Sequence, residues 1–568
     1  MKKYILVSAL AAGLLGLTAC NDEFLDLSPK GAVTDATAFA SYESCYDYVV
    51  GLYDVFNGYR LFQGPAFVND ALGTSARDIY SGLLTNYGSG YSTIPNAYAA
   101  QTVTIPTKSS TYTNPYIWIR YANILLSHLE EADVTDAERI HLEALARFFR
   151  AYSHYALLVN YGDCIYVDKV LGENSEEIFG KRQSRLYVAD QIYKELTWCA
   201  SNIQDNLAPA NTVNSDVVNA LLSRFCLFEG TWRKYHNVAD DSNYISGNEL
   251  LNACVTVSKA LMDKHPDLYY GDNNDKHPGK GWGQMWTTED LSKVSSVLLY
   301  TKYVPDYKMH RLGHFEHIAS ASLEMPQSTV DLYLTVDGLP IHNAAVKTYD
   351  FANGVYTESA TPYDYANANP YKTFRKRDSR LWQMCIPPYQ VKNNVGTNGW
   401  IPDDSANGVY SEYVNQFAYR GTKQENCWMV PNFNTAYHQI ETHKSLPSTN
   451  WAGNILVGVP HTVMSDKTAY GDGKNAYYAG KGFQRGKSGY FVWKHVANWD
   501  RQWSSGPADA SDKPVFKMEE VMLNYAEAAF ETGKFNQAVA DASINKLRDR
   551  AEVGRMNVSA IDASFDPD

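Results

Sequence analysis

Between Ala144 and Tyr161, Ala144, Phe148, Ala151, Tyr155 and Leu158 recur at three- and four-residue steps. That spacing puts all five on one face of an α-helix, and such an apolar stripe needs a partner to bury it. Glu143 and Arg147 can pair across one turn, and Gly162-Asp163 supplies the stop. The same period dominates Ala36–Phe56 and much of Pro115–Met262, with further helices expected at Leu186–Ile203, Val217–Phe228 and Glu249–Met262. Ser215 is the expected cap for the helix that begins near Val217. The pattern returns at Met518–Glu531, turns at Thr532-Gly533-Lys534 and resumes at Asn536–Arg550. Tyr525, Ala526, Ala528, Gly533 and Ala538 give the small-and-large alternation of a packed helical hairpin, in part a tetratricopeptide pattern. Such a hairpin cannot bury its own face and needs adjoining hairpins. The helices before residue 265 and those after 515 are therefore expected to form one body.

Roughly Tyr269–Pro514, between them, is different. It is rich in Gly, Asn, Pro, Tyr and Trp and poor in long helical stripes. Nine of the twelve tryptophans fall here: Trp282, Trp286, Trp382, Trp400, Trp428, Trp451, Trp493, Trp499 and Trp503. A long irregular stretch marks a functional surface or disorder, and this aromatic content argues against disorder.

At the other end, Lys2 and Lys3 precede an uncharged, mostly apolar run of 14 residues, Tyr4 to Leu17. The run is too short for a comfortable membrane span, which takes about 20 residues. It has the layout of a cleaved secretory signal. Leu17-Thr18-Ala19-Cys20 resembles the lipobox of a bacterial lipoprotein, which implies that residues 1–19 are removed and that Cys20 carries the acyl groups. Several acyl chains hold a protein on a membrane stably where one does not. Residues 20–35 then form an acidic tether, and Asn21-Asp22-Glu23 resembles an export tag to the outer leaflet.

Lys and Arg total 50 against 63 Asp and Glu, a formal charge of −13. That balance argues against a nucleic-acid partner, which needs a basic surface. Charged residues make up only 20%, while aromatics reach 13% with 42 Tyr. Such a surface recognises by stacking and hydrogen bonding more than by ion pairing. Of the eight cysteines, those in helical patterns read as small buried thiols, and no CxxC occurs.

Several fragments, in order, resemble the SusD/RagB family of nutrient-binding outer-membrane lipoproteins. Cys20-Asn21-Asp22-Glu23-Phe24-Leu25-Asp26 opens the set, followed by Arg147-Phe148-Phe149-Arg150-Ala151-Tyr152 and Asn160-Tyr161-Gly162-Asp163. Then come Asp331-Leu332-Tyr333, Asp337-Gly338-Leu339-Pro340-Ile341, Arg377-Asp378-Ser379-Arg380-Leu381 and Ser488-Gly489-Tyr490. Glu519-Glu520-Val521-Met522-Leu523-Asn524-Tyr525-Ala526-Glu527-Ala528 and Ile544-Asn545-Lys546-Leu547-Arg548 close it. The resemblance implies a mainly α fold: a tetratricopeptide-like helical hairpin scaffold (about 36–265 and 515–552) with a large irregular, loop-rich ligand-facing half (about 269–514). It implies one domain from residue 36 to 568, docking on a SusC-like TonB-dependent transporter, and glycan capture at the cell surface of the outer membrane. It transfers no catalytic residue, and no cofactor is expected. The family's closing helix has no counterpart before Asp568, so the sequence is expected to be truncated there.

Other chemistries fit the residues less well. His310, His314 and His317 would share a helix face, but Gly313 weakens a helix there and few further ligands are near in sequence, so no metal site is expected. Gly486-Lys487-Ser488 lacks the earlier glycine of a phosphate loop, because Lys481 stands in its place. No GxSxG nucleophile elbow occurs, and carboxylate pairs such as Asp240-Asp241 and Asp403-Asp404 read as solvated loops.

Aromatics remain. Trp282 and Trp286 sit in a Gly-rich loop with little apolar support, so their exposure is expected. Tyr80, Tyr87 and Tyr91 lie in a second loop with Arg77 and Asp78. With Trp400, Trp428 and Trp451, these are the candidate ligand-binding residues. Sugar rings lay their C–H faces on such rings while Asp and Arg take the hydroxyls. The reading is a glycan-binding surface lipoprotein; the alternatives are a binder of another nutrient such as peptide, and a surface glycosidase.

Overall fold

The computed structural model describes residues 38–56, 78–87, 101, 104, 107–271, 281–317, 322–348, 377–385, 391–392, 401–402, 492, 494–496 and 509–567. Its first helices are α1 (Tyr42–Leu52), α2 (Ser110–His128), α3 (Asp136–Tyr161) and α4 (Glu176–Phe179). Then come α5 (Arg185–Asn202), α6 (Ser215–Tyr235) and α7 (Gly247–Lys264). Short helices α8 (Leu312–His317), α9 (Gln327–Asp331) and α10 (Arg380–Met384) fall in the irregular region. The chain then returns to α11 (Met518–Glu531), α12 (Gln537–Ala542) and α13 (Ile544–Ala551). The strands are β1 (Thr85–Tyr87), β2 (Val297–Thr301), β3 (Ser322–Glu324), β4 (Val391–Lys392), β5 (Ile401–Pro402) and β6 (Lys513–Lys517). They form three antiparallel pairs, β1–β3, β2–β6 and β4–β5. No described helix is long and apolar enough to cross a membrane.

Local chemistry sets the helix ends. Thr135 caps α3 through a reciprocal box with Glu138, and Ser246 does the same with Glu249 for α7. Gly162, at φ +70°, ends α3 with its N–H on Leu158 O. Three expectations shift. The helix expected from Pro115 already begins at Ser110, where Tyr112 and Thr113 donate to Ser109 O. The cap of α6 is Asn214, whose side chain accepts from Val217 N–H at 3.1 Å, while Ser215 is held by Asp205. The helix expected over Asn536–Arg550 breaks at Ser543 (φ −128°, ψ −86°), whose hydroxyl turns back to Val539 O at 2.6 Å.

The stripe of α3 is buried as its spacing requires, with Ala144, Phe148 and Leu158 fully covered and Tyr155 set edge-on to Phe225 at 5.7 Å. Helix α6 runs past Phe228 to Tyr235, and α7 crosses close to it at Gly230. A Cβ at Gly230 would stand 2.8 Å from Leu251 Cγ and 3.0 Å from Gly247 O. Helix α11 packs on α7 and α6, and Val521, Met522 and Ala528 join the same core as Leu221, Phe225 and Leu251. The helices on either side of the irregular region thus share one interior.

Arginines cross-link the helices. Arg150 of α3 grips Glu195 of α5, Arg185 of α5 grips Glu229 of α6, and Arg550 of α13 grips Glu519 of α11, at 2.8, 2.7 and 2.6 Å. Arg224 of α6 meets Glu520 of α11 at 2.5 Å. Burial works to raise the Glu520 carboxyl, but the hydrogen bond and charge of Arg224 win and hold it below the usual range. Cys45, Cys164, Cys199, Cys226 and Cys254 are buried thiols with no disulfide among the described residues, and Cys385 is buried too. Burial pushes Cys164 up to about 12 and Cys254 to about 11, which keeps them unreactive. Cys20 and Cys427 lie outside the described residues.

Candidate ligand-facing site

Strand β2 ties the irregular region to the scaffold. Val297 pairs with Lys517 and Leu299 with Phe516, and Met518 N–H donates to Ser296 O at 2.8 Å. This sets the loop 281–287 beside the start of α11. Gly281 holds φ +36°, and a Cβ there would fall 2.6 Å from both Gly271 N and Tyr269 O. Glycine is the residue this crossing admits. Met285 N–H then closes a turn on Gly281 O at 3.0 Å, and Tyr269 OH donates to Gln284 Oε1 at 2.8 Å.

The turn carries both candidate tryptophans. Their rings meet edge to face at 5.9 Å. They are not freely displayed, as the Gly-rich loop had suggested; both are half-buried. The apolar support missing nearby in sequence comes from Tyr269, Met285, Leu291 and Val294, which pack beneath Trp286. Lys494 Nζ covers its ring at 3.7 Å from the centroid, and His495 meets its edge at 5.9 Å. The Trp286 indole N–H is buried and meets no acceptor among the described residues.

Around this pair the structure gathers groups that sequence reasoning did not single out. His495 Nδ1 lies 2.6 Å from Glu316 Oε1, and its backbone N–H donates to Glu316 Oε2 at 2.7 Å. Burial pushes the Lys494 ammonium down to about 8, helped by the like charge of Lys517. Asp78 and Glu316 pull the other way. Asp78 therefore lies close enough to act on the cation that covers Trp286. It shares a helical turn, residues 78–80, with Tyr80, which is exposed. The path between the two loops is β1 on β3, Thr85 opposite Glu324, with Val492 N–H donating to Leu323 O at 3.0 Å. The run Val492-Trp493-Lys494-His495, a lysine inside an aromatic apolar stretch, is the signal that could have found Lys494.

Of the other candidates, Tyr87 is placed only as backbone, opposite Ser322. Arg77, Tyr91, Trp400, Trp428 and Trp451 lie outside the described residues, as does Gly486-Lys487-Ser488. His310 precedes α8 and is buried, with Nε2 at 3.0 Å from Ser511 O and Nδ1 at 3.7 Å from Asp509 Oδ2. Its ring serves the packing of the segment before β6.

Two family patterns match the chain. One, described as the SusD family, matches residues 299–566, and the other, described as starch-binding associating with outer membrane, matches residues 23–227. The chain is a SusD-like family protein. A SusD-like protein of Bacteroides ovatus is 23% identical over 283 residues, 49% of this chain, and the match spans about half (48%) of that relative's length. A SusD-like carbohydrate-binding protein of Bacteroides fragilis has the same fold at a TM-score of 0.53, with 15% identity over 94% of this chain and 82% of its own. A second SusD-like protein of Bacteroides fragilis, 13% identical over 93% and 82%, gives 0.54. The helical, tetratricopeptide-like scaffold is thus the SusD-like fold.

Proposed function

We propose that this SusD-like protein is a cell-surface lipoprotein that binds oligo- or polysaccharide and hands it to a SusC-like TonB-dependent transporter. In this reading residues 1–19 are the signal, Cys20 carries the lipid, residues 20–35 are the tether, and the rest is one binding domain. The observation that carries the reading is the convergence of two candidate loops, far apart in sequence, around Lys494. Trp282 supplies a ring face, Trp286 supports it edge to face, and Asp78 supplies an acceptor for hydroxyls. The buried Trp286 N–H gains from a hydroxyl oxygen, since leaving it unmet costs free energy. Family membership supports the class, as does the description of the Bacteroides fragilis fold relative as a carbohydrate-binding protein.

Binding is the whole of the role: the ligand is held and released without bond cleavage. A few ring contacts, each about 0.5–1.5 kcal/mol beyond area burial, with hydrogen bonds, give about −4 to −8 kcal/mol, or millimolar to micromolar affinity. That range suits capture followed by release. Isothermal titration against a polysaccharide panel, with an assay for reducing ends, tests it. Saturable heat with no new reducing ends is expected. Release of reducing ends would favour a glycosidase, and heat from peptides alone would favour another nutrient.

A further inference from the structure

A cavity lies on the helical scaffold, formed by α2, α4 and the segment that joins α3 to α4. Its volume is about 280 Å³, just under the range of about 300–1,000 Å³ usual for small-molecule sites. The walls are Tyr112, Tyr116, Ile119, Ile165, Leu171 and Ile178. They offer a sugar little. The Tyr116 hydroxyl is already spent, donating to Ile165 O at 3.0 Å and accepting from Ile165 N–H at 3.1 Å. The rim is apolar and open, with Ile178 46% and its neighbour Phe179 80% exposed.

Arg120, Lys169 and Glu177 also line the cavity. Arg120 is exposed and is anchored by one N–H on Leu171 O at 2.7 Å. It has no carboxylate partner among the described residues, whereas Lys169 beside it is paired with Glu177. The Arg120 guanidinium is therefore the group of the lining left to recognise an anion bidentately. We propose that this cavity is a binding site for a small amphiphilic carboxylate, its apolar body between Tyr112, Ile119 and Leu171 and its carboxylate on Arg120. It is separate from the tryptophan site and selects a different class of ligand.

Titration of the folded chain with 2-naphthoate, and with the neutral 2-naphthalenemethanol, tests this. The carboxylate is expected to bind at least about tenfold more tightly, the gain of a charge-assisted hydrogen bond. Arg120→Gln should remove that preference, and Ile178→Asp should weaken both ligands. Both side chains are exposed, so circular dichroism should show both variants folded. No binding of either compound would overturn the proposal. So would equal affinity for the two, or a preference that survives in Arg120→Gln.

Discussion

Lys494 places its ammonium 3.7 Å from the centre of the Trp286 ring, with Lys517 Nζ at 5.2 Å from the same ring. Burial and that second cation bring the Lys494 pKa down to about 8, below the value near 10.4 of an unfolded chain. Between the two values the unfolded chain holds a proton that the folded one has lost, so stability rises with pH across this window. Compared with Lys494→Met, the native chain should gain up to about 1.4 kcal/mol per pH unit from about pH 8 to about 10.4, and no slope difference is expected below 8. Urea unfolding of both proteins across this range is the measurement.

Acid should act through two buried imidazoles. His154 is pushed down to about 3, chiefly by burial, with Nδ1–H on Arg150 O and Nε2 accepting from Val167 N–H. Burial pushes His141 down to about 4, against a weaker opposing pull from Asp205, and neither of its ring nitrogens finds a partner among the described residues. Both are neutral in the fold, so the unfolded chain alone takes up protons as pH falls from about 6.5 toward those values, and stability drops. His141→Leu should flatten that fall by up to about 1.4 kcal/mol per pH unit, as read from urea midpoints between pH 6.5 and 4.5.

The arginine cross-links predict an asymmetry. Arg150→Met leaves Glu195 buried with, among the described residues, only the longer 3.3 Å contact from Arg147. A loss of about 3–5 kcal/mol is expected. Adding Glu195→Leu should restore part of it, since an apolar pair of similar volume often equals a buried ion pair, while Asn123 Oδ1 and Asp168 O lose the Arg150 donor either way. A double-mutant cycle by urea unfolding measures this.

Gly281 fixes how the tryptophan turn meets Tyr269. Gly281→Ala puts a methyl group 2.6 Å from backbone on both sides at positive φ. A cost of about 1–3 kcal/mol is expected, together with weaker glycan binding. Thermal unfolding and titration of the same sample read both.

The scaffold was legible in the sequence because helix stripes are local. Ala144, Phe148 and Leu158 announce their burial by spacing alone, and Met518–Glu531 was placed to the residue. The crossing at Gly230 was not legible, since a glycine there looks like an end until Leu251 is seen against it. The break at Ser543 was missed because the winning bond, hydroxyl to Val539 O, competes with a helix the period favoured. At the candidate site the aromatics were legible as residues, but not their setting. Trp286 takes its support from Leu291 and Val294 and its cation from position 494, and no local pattern links those positions.

Titration of the folded Trp282→Ala variant against a glycan that the native chain binds tests the central claim most directly. Trp282 is preferred to Trp286, whose removal would also open the cluster over Met285. Affinity should fall about 2- to 12-fold, the value of one ring contact, with circular dichroism unchanged. A native chain that binds no glycan, or a folded variant that binds as tightly as the native chain, would contradict the account.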